Sequence, residues 1–410
     1  MSTTVTTELI GERPALSQIE CGLPLTASWL RGSDGLIGFG EYKKKIVRGP
    51  KRFIEARQWW REELAHLSVT NNVHGVGTGP ILFTSFSFDE NEESVLVIPQ
   101  VVIGKRGDQA WATYIGELPA ISEHRAVSSE ERPTITWHQG ALSDETWKSR
   151  VALAVEKIKG NELEKVVLAR NLLAHADKEL PIRSIVNNLL KNYPSTWVFL
   201  VDGLVGATPE LLVRLSKSLV TSRVLAGTIR RTGDDARDMA LAASLAKSSK
   251  DLEEHEYAVR SVADAIEPYC SSINVPESPF VLHLANVMHL ATDVNGVVHE
   301  SDTPVDIFTL VSSLHPSAAV CGTPKSSAFS LIQKLEGMSR GRYAGPVGWV
   351  DRRGDGEMGI ALRCGQINQV DKSQAVIYAG CGIVAGSNPD DELAESQAKL
   401  APMRTALETL

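Results

Sequence analysis

The chain has 410 residues, is 43% hydrophobic and 22% charged, and carries a formal net charge of −8. That length allows one large domain or two to three small ones with a sizeable core. An acidic balance without any basic block excludes nucleic acid and anionic membrane surfaces as expected partners. In chain order, residues 1–48 mix short strand-like pieces such as Leu36-Ile37-Gly38-Phe39-Gly40. Pro50 then opens a predicted helix whose apolar face carries Phe53, Ala56, Trp60 and Leu64. Strand candidates follow at Ile81–Phe88, Ser94–Ile98, Val101–Ile103 and Ala110–Ile115, separated by turn residues as in an antiparallel meander. The Gly75-Val76-Gly77-Thr78-Gly79-Pro80 run precedes a strand instead of following one, so it reads as a turn and not as a phosphate cradle.

From Ser143 a helix carries Trp147, Val151, Ala154 and Ile158 on one face. Strand Lys165–Arg170, helix Pro181–Tyr193, strand Trp197–Val201 and the loop Gly206-Ala207-Thr208-Pro209-Glu210 come next. Strands Leu211–Leu215 and Leu219–Leu225 lead to helices near 234–247 and 250–269 and to strand Val287–Val294. A loop at 315–324, a helix near 326–337 and strands at 345–351, 357–363 and 375–384 complete the chain. Long antiparallel runs mixed with helices predict an α+β fold, not a doubly wound one. With no repeat and no long linker, one compact domain with an N-terminal subdomain is expected. Cys21, Cys270, Cys321, Cys364 and Cys381 are scattered, odd in number and without a CxxC pair, which favours reduced thiols. The start Met1-Ser2-Thr3-Thr4 lacks a signal pattern, and no apolar run nears the roughly 18 residues of a membrane span. A cytoplasmic location is expected.

Chemistry concentrates towards the C-terminus. Gly380-Cys381-Gly382-Ile383-Val384-Ala385-Gly386-Ser387 ends an apolar strand in small residues, so backbone can approach a ligand. Pro389 suits the first turn of a following helix. On that helix Glu392, Glu395 and Lys399 project from one face. Asp251 and Glu254 repeat the acidic spacing on another predicted helix. Two acidic faces suit one hard divalent cation such as Mg²⁺, which takes oxygen ligands; a single pair is also what a solvated helix surface shows.

Other positions keep two readings each. Lys165 shares a strand face with Val167 and Ala169, a setting that favours a neutral amine able to act as a base, or it is a strand-end lysine in solvent. Glu210 is a loop carboxylate suited to general acid work or simply solvated. Gly227 ends an apolar strand and permits close approach to a ligand, or marks a bulge. His289 is a core histidine or a site residue. Arg363, at the end of Met358–Arg363, meets a substrate carboxylate or an internal partner.

Taken in order, these segments resemble the chorismate-utilising enzymes, most closely the isochorismate synthases. The likeness covers roughly residues 140–410 and rests on seven motifs. They begin with Lys165-Val166-Val167-Leu168-Ala169-Arg170, Gly206-Ala207-Thr208-Pro209-Glu210 and Leu225-Ala226-Gly227-Thr228. Lys250-Asp251-Leu252-Glu253-Glu254-His255, His315-Pro316-Ser317-Ala318-Ala319-Val320-Cys321-Gly322-Thr323-Pro324 and Tyr343-Ala344-Gly345-Pro346-Val347-Gly348-Trp349 follow, and the Gly380 segment closes the series. Residues 1–140 look like that family's variable portion of the same domain, and 141–410 like its catalytic region.

The resemblance implies a single large domain of layered antiparallel sheets flanked by helices, with a central active-site cleft. It implies Glu254 and Glu395 as Mg²⁺ ligands, supported by Asp251 and Glu392. Arg363 and Tyr343 would bind the enolpyruvyl carboxylate of chorismate, and Gly380 and Lys399 other substrate carboxylates. Gly227, Thr228 and His289 would line the ring pocket. Lys165 would be the base for water and Glu210 the acid. Ala226 stands where aminodeoxychorismate synthases carry a nucleophilic lysine, and the His315-Pro316 loop is typical of isochorismate synthases. Salicylate synthases are the nearest alternative and anthranilate synthases a more distant one. A monomer without a glutamine amidotransferase subunit is expected.

Overall fold

The computed structural model describes residues 3–11, 15–123, 132–300 and 304–409, with the side chains of Lys250 and Glu254 outside the described set. Its helices are α1 (Arg52–Ala65), α2 (Asp144–Lys159), α3 (Ile182–Asn192), α4 (Asp235–Leu245), α5 (Ser249–Ile266), α6 (Ile307–Leu314), α7 (Lys325–Leu335) and α8 (Pro389–Glu408). Among the described residues no helix is long and apolar enough to cross a membrane. Side-chain caps set several starts: the Ser143 hydroxyl accepts from Thr146 N, that of Ser248 from Asp251 N, and Asn388 from Asp390 N and Asp391 N. Each such cap contributes about 1 kcal/mol.

Among the described residues the strands form one sheet of thirteen and one of ten, nearly all antiparallel, plus a two-stranded ribbon. Strands from before residue 140 complete both large sheets: Leu25–Arg31 pairs with Trp197–Val201, and Ile81–Ser85 pairs with Pro346–Asp351. The α+β expectation holds. One core contains Trp29, Trp197, Phe199, Val213, Trp349 and Met358, drawn from strands of both sheets. A second buries Ile185 and Leu189 of α3 and Leu400 and Met403 of α8 with the larger sheet's Val198, Val205 and Ile377.

Three sequence expectations change. The 81–115 strands are not one meander: Ser94–Ile98 lies in the smaller sheet and Val101–Arg106 in the larger, so the chain changes sheets at Pro99-Gln100. The strand holding Leu225 does not end at Gly227. It runs from Leu219 to Arg230 with a bulge between Ala226 and Thr228, where Gly227 takes φ +70. The strand before Arg363 stops at Ile360, and a separate strand Cys364–Ile367 follows in the other sheet.

Candidate active site

Glu210 and Arg363 owe their positions to the sheet-to-sheet seam. Leu204–Thr208 belongs to the larger sheet and Leu211–Ser216 to the smaller, so the chain crosses at Pro209-Glu210. The return crossing is Ala361–Arg363. The two crossings are tied together, with Ala207 N donating to Arg363 O at 3.2 Å and Ile360 N to Glu210 O at 3.2 Å. Tyr343-Ala344-Gly345 joins them through Ala344 N to Ala361 O and Ala361 N to Gly345 O, both 2.9 Å. Arg363 has φ 50, a left-handed conformation that costs a non-glycine residue energy and is held only where neighbours fix it. Strain of this kind concentrates at ligand sites.

A second wall comes from Lys165–Ala176 paired with Gln374–Ile383, in register Val166↔Ile383 and Ala169↔Gly380. Strand alternation sends Lys165, Val167, Gly380 and Gly382 to one cavity. It sends Cys381 the other way, where its buried thiol donates to Glu392 O at 3.3 Å beneath α8. A side chain at 380 would meet the Tyr343 hydroxyl at 3.0 Å and Leu168 O at 3.1 Å, so only glycine leaves that surface open. Helix α8 lays Glu392, Glu395 and Lys399 along the same cavity. Lys399 Nζ lies 2.5 Å from Glu395 Oε1 and donates to Gly380 O at 3.0 Å.

The third wall is the Gly227 bulge and the strand beside it. The Gly227 carbonyl lies 3.2 Å from His289 Nδ1, and Thr228 Oγ1 lies 3.1 Å from the same nitrogen. A carbonyl can only accept, so Nδ1 carries the proton and His289 Nε2 is a lone-pair acceptor. That Nε2 is buried with no partner among the described residues. A Cβ at Gly227 would come within 3.1 Å of Asp251 Cβ, so the bulge also seats the first turn of α5.

The enclosed space is about 190 Å³. Twelve of the thirteen residues named from sequence line it: Lys165, Glu210, Gly227, Thr228, Asp251, His289, Tyr343, Arg363, Gly380, Glu392, Glu395 and Lys399. The thirteenth, Glu254, has its side chain outside the described residues, although its helix passes beside the cavity through Asp251. His315 does not line the cavity. It is buried against Phe53 and Phe88, with Nε2 3.2 Å from Phe88 O, while Ala319 and Val320 of its loop reach the wall.

Burial drives the electrostatics. Desolvation pushes the Glu210 carboxyl up to about 7, against the lowering effect of Arg363, Lys165 and Lys399. It lowers His289 to about 3, helped by the same arginine and by Lys399, so the ring is neutral. Burial lowers Arg363 despite Tyr343 and Glu395, and raises the Tyr343 phenol. Burial alone would lower Lys399, but the Glu395 carboxylate outweighs it and the ammonium is held above its usual value.

Arg340, absent from the sequence-derived set, also lines the cavity. It forms a buried pair with Glu336, Nη2 to Oε1 at 2.5 Å and Nε to Oε2 at 2.9 Å, and donates to Val167 O and Val320 O at 2.8 Å each. Glu336 in turn accepts from Ala169 N at 2.7 Å. Arg340 lies beyond the end of α7, so the i, i+4 spacing of Glu336 and Arg340 gave no helix-face signal in sequence. Glu392 and Glu395 offer carboxylate oxygens, the donor type a hard divalent cation takes, and Asp251 lines the same cavity. Ligand atoms of Glu392, Glu395 and Cys381 lie within 4.8 Å of one another.

Residues 29–408 match the family model described as chorismate binding enzyme. The Mycobacterium tuberculosis MenF protein is 37% identical over 345 residues, 81% of this chain and 87% of its own length. The isochorismate synthase MenF of Bacillus subtilis is 30% identical over 392 residues, covering 88% of this chain and 82% of its own. Among solved structures, DhbC of Bacillus anthracis, titled a 2,3-dihydroxybenzoate-specific isochorismate synthase, superposes with TM-score 0.78 at 31% identity, covering 93% of this chain and 96% of that one. The menaquinone-specific MenF of Escherichia coli superposes with TM-score 0.82 at 22% identity, covering 99% and 95%, a likeness of fold.

Proposed function

The chain belongs to the chorismate-binding enzymes, and from that premise we propose that it is an isochorismate synthase. It would convert chorismate reversibly to isochorismate, an isomerisation by hydroxyl transfer that feeds menaquinone or siderophore synthesis. The observation that carries the reading is one cavity holding a strand lysine, Lys165, and a buried carboxyl, Glu210, near 7. Arg363 and Lys399 add cationic charge for the carboxylates of a dianionic substrate.

Lys165 takes a proton from water as its oxygen bonds to C2 of the ring. The ring double bonds shift, and the C4–O bond breaks as Glu210 gives its proton to the departing hydroxyl, which leaves as water. One water enters and one leaves, and no redox cofactor takes part. The neutral His289 presents Nε2 as an acceptor for a ring hydroxyl, fixing the face on which chemistry occurs. Arg363 and Tyr343 hold the enolpyruvyl carboxylate. Mg²⁺ bound by Glu254 and Glu395, with Asp251 and Glu392 in support, would supply the positive charge that holds the ring carboxylate. A cytoplasmic monomer without an amidotransferase subunit completes the proposal.

The test is chromatography of products after incubation with chorismate and Mg²⁺, with an EDTA arm. Isochorismate is expected, lost in EDTA. The Lys165→Ala variant should be slower by roughly 10²–10⁴, the usual contribution of a general base. Pyruvate released in step with chorismate loss would move the protein to the salicylate synthases, and anthranilate formed with ammonia to the anthranilate synthases.

A further inference from the structure

A second and much smaller cavity, of about 10 Å³, shares Glu210 with the first. That is on the order of the space one water needs. Its lining includes Glu210, Ser222, Ser317 and Ala258. Ser317 is only 9% exposed, and its hydroxyl has no hydrogen-bond partner among the described residues. Ser222 is 1% exposed, and its hydroxyl donates to Leu211 O at 3.4 Å, which leaves its own oxygen free to accept. Two hydroxyls and a carboxyl give a water the two to four polar partners it requires. A buried serine hydroxyl without a partner is costly, and a water there removes the cost.

The surroundings give that water a direction. Ala258 also lines an outward-opening groove of about 640 Å³, and so does Ala318, the neighbour of Ser317. Lys165 borders the same groove. The proposed reaction makes a demand on this arrangement. In each forward turnover Glu210 loses a proton to the leaving hydroxyl and Lys165 gains one from the attacking water. Before the next turnover Glu210 must recover a proton and Lys165 must release one.

We propose that Ser317 and a single water in the small cavity form the return path by which a proton reaches Glu210 from the outer groove. Ser317 touches the water and not the substrate, so it is a positioning residue. The pathway rests on Glu210 being the acid of the reaction proposed above. Atoms balance: a solvent water in the groove gives up one proton, the cavity water accepts it and passes one of its own to Glu210, and the proton that Lys165 releases to the same groove restores the solvent water.

The test uses the full-length protein and two variants. Ser317→Ala should lower kcat about tenfold with the KM for chorismate unchanged, a small part of the 10²–10⁴ that an acid itself contributes. Its proton inventory in mixed light and heavy water should differ from that of the wild type. Ser317→Gly, which leaves room for a second water in place of the hydroxyl, should recover most of the rate. An unchanged kcat in Ser317→Ala, a KM rising in step with the loss, or no recovery in Ser317→Gly overturns the path. A readout independent of turnover separates this from the assignment of function. The infrared carbonyl stretch of protonated Glu210, identified by its loss in Glu210→Gln, should move to higher frequency in Ser317→Ala as a hydrogen bond is lost. No movement overturns the path whatever product the enzyme makes.

Discussion

Two arginines line the same cavity, and the structure treats them differently. Arg340 is fully answered from within: a buried carboxylate, Glu336, and two main-chain carbonyls take its donors. Glu336 holds the Arg340 guanidinium above its usual value even though burial pulls the other way. Arg363 has no ion pair among the described residues, is lowered by burial, and sits on left-handed backbone. The Arg340 side is finished without a ligand. The Arg363 side, with Glu210 and the open His289 Nε2, carries costs that a bound dianion would offset. The lesson is that buried charge alone does not mark a binding site; the satisfaction of that charge does.

Breaking the finished side should have the largest effect on the fold. Arg340→Met strands Glu336 as an uncompensated buried charge, so stability in urea should fall by about 3–5 kcal/mol. Equal urea midpoints for the variant and the wild type would remove the contrast.

Arg363→Met should do the reverse. The urea midpoint should hold or rise, while kcat/KM for chorismate falls roughly 10²-fold, as expected when charge-assisted hydrogen bonds worth about 1.5–3 kcal/mol are lost. A loss of stability matching that of Arg340→Met would show that Arg363 is structural as well.

Glu210 gives a pH test. Its folded value, about 7, lies above the ordinary 4.5. Its contribution to stability is therefore fully present below 4.5 and is lost as pH rises through about 7. The forward rate should fall over the same limb as the acid form disappears. Glu210→Gln should flatten the stability profile between those values, which urea titrations at several pH values would check.

The smallest effect concerns the buried histidines. His289 and His315 are both lowered to about 3 from 6.5, so their neutral forms stabilise the fold above 6.5, and that stability is lost as pH falls towards 3. His289→Asn should shift acid unfolding slightly to lower pH. An acid midpoint that does not move would mean that the ring is not held neutral by its surroundings.

Much of this was readable one-dimensionally. Helix faces such as Trp147-Val151-Ala154-Ile158 and Glu392-Glu395-Lys399 follow from a period of 3.6 residues, and the Lys165 strand from alternation, because these are local geometries set by the backbone. Small residues at Gly380 and Gly382 marked a surface open to a ligand for the same local reason. Tertiary structure decided the rest. Whether Lys165 meets solvent or a cavity depends on the pairing of its strand, from Val166 onward, with a strand more than 200 residues away, and that pairing has no local cause. The seam that joins Glu210 to Arg363 exists because the chain changes sheets twice, and its turns look like ordinary strand ends in sequence. The Arg340–Glu336 pair straddles the end of a helix, and nothing local marks it as a core pair until the assembled sheets bury it. Burial is a property of the assembled sheets, and it alone separates a solvated carboxylate from an acid poised near neutrality.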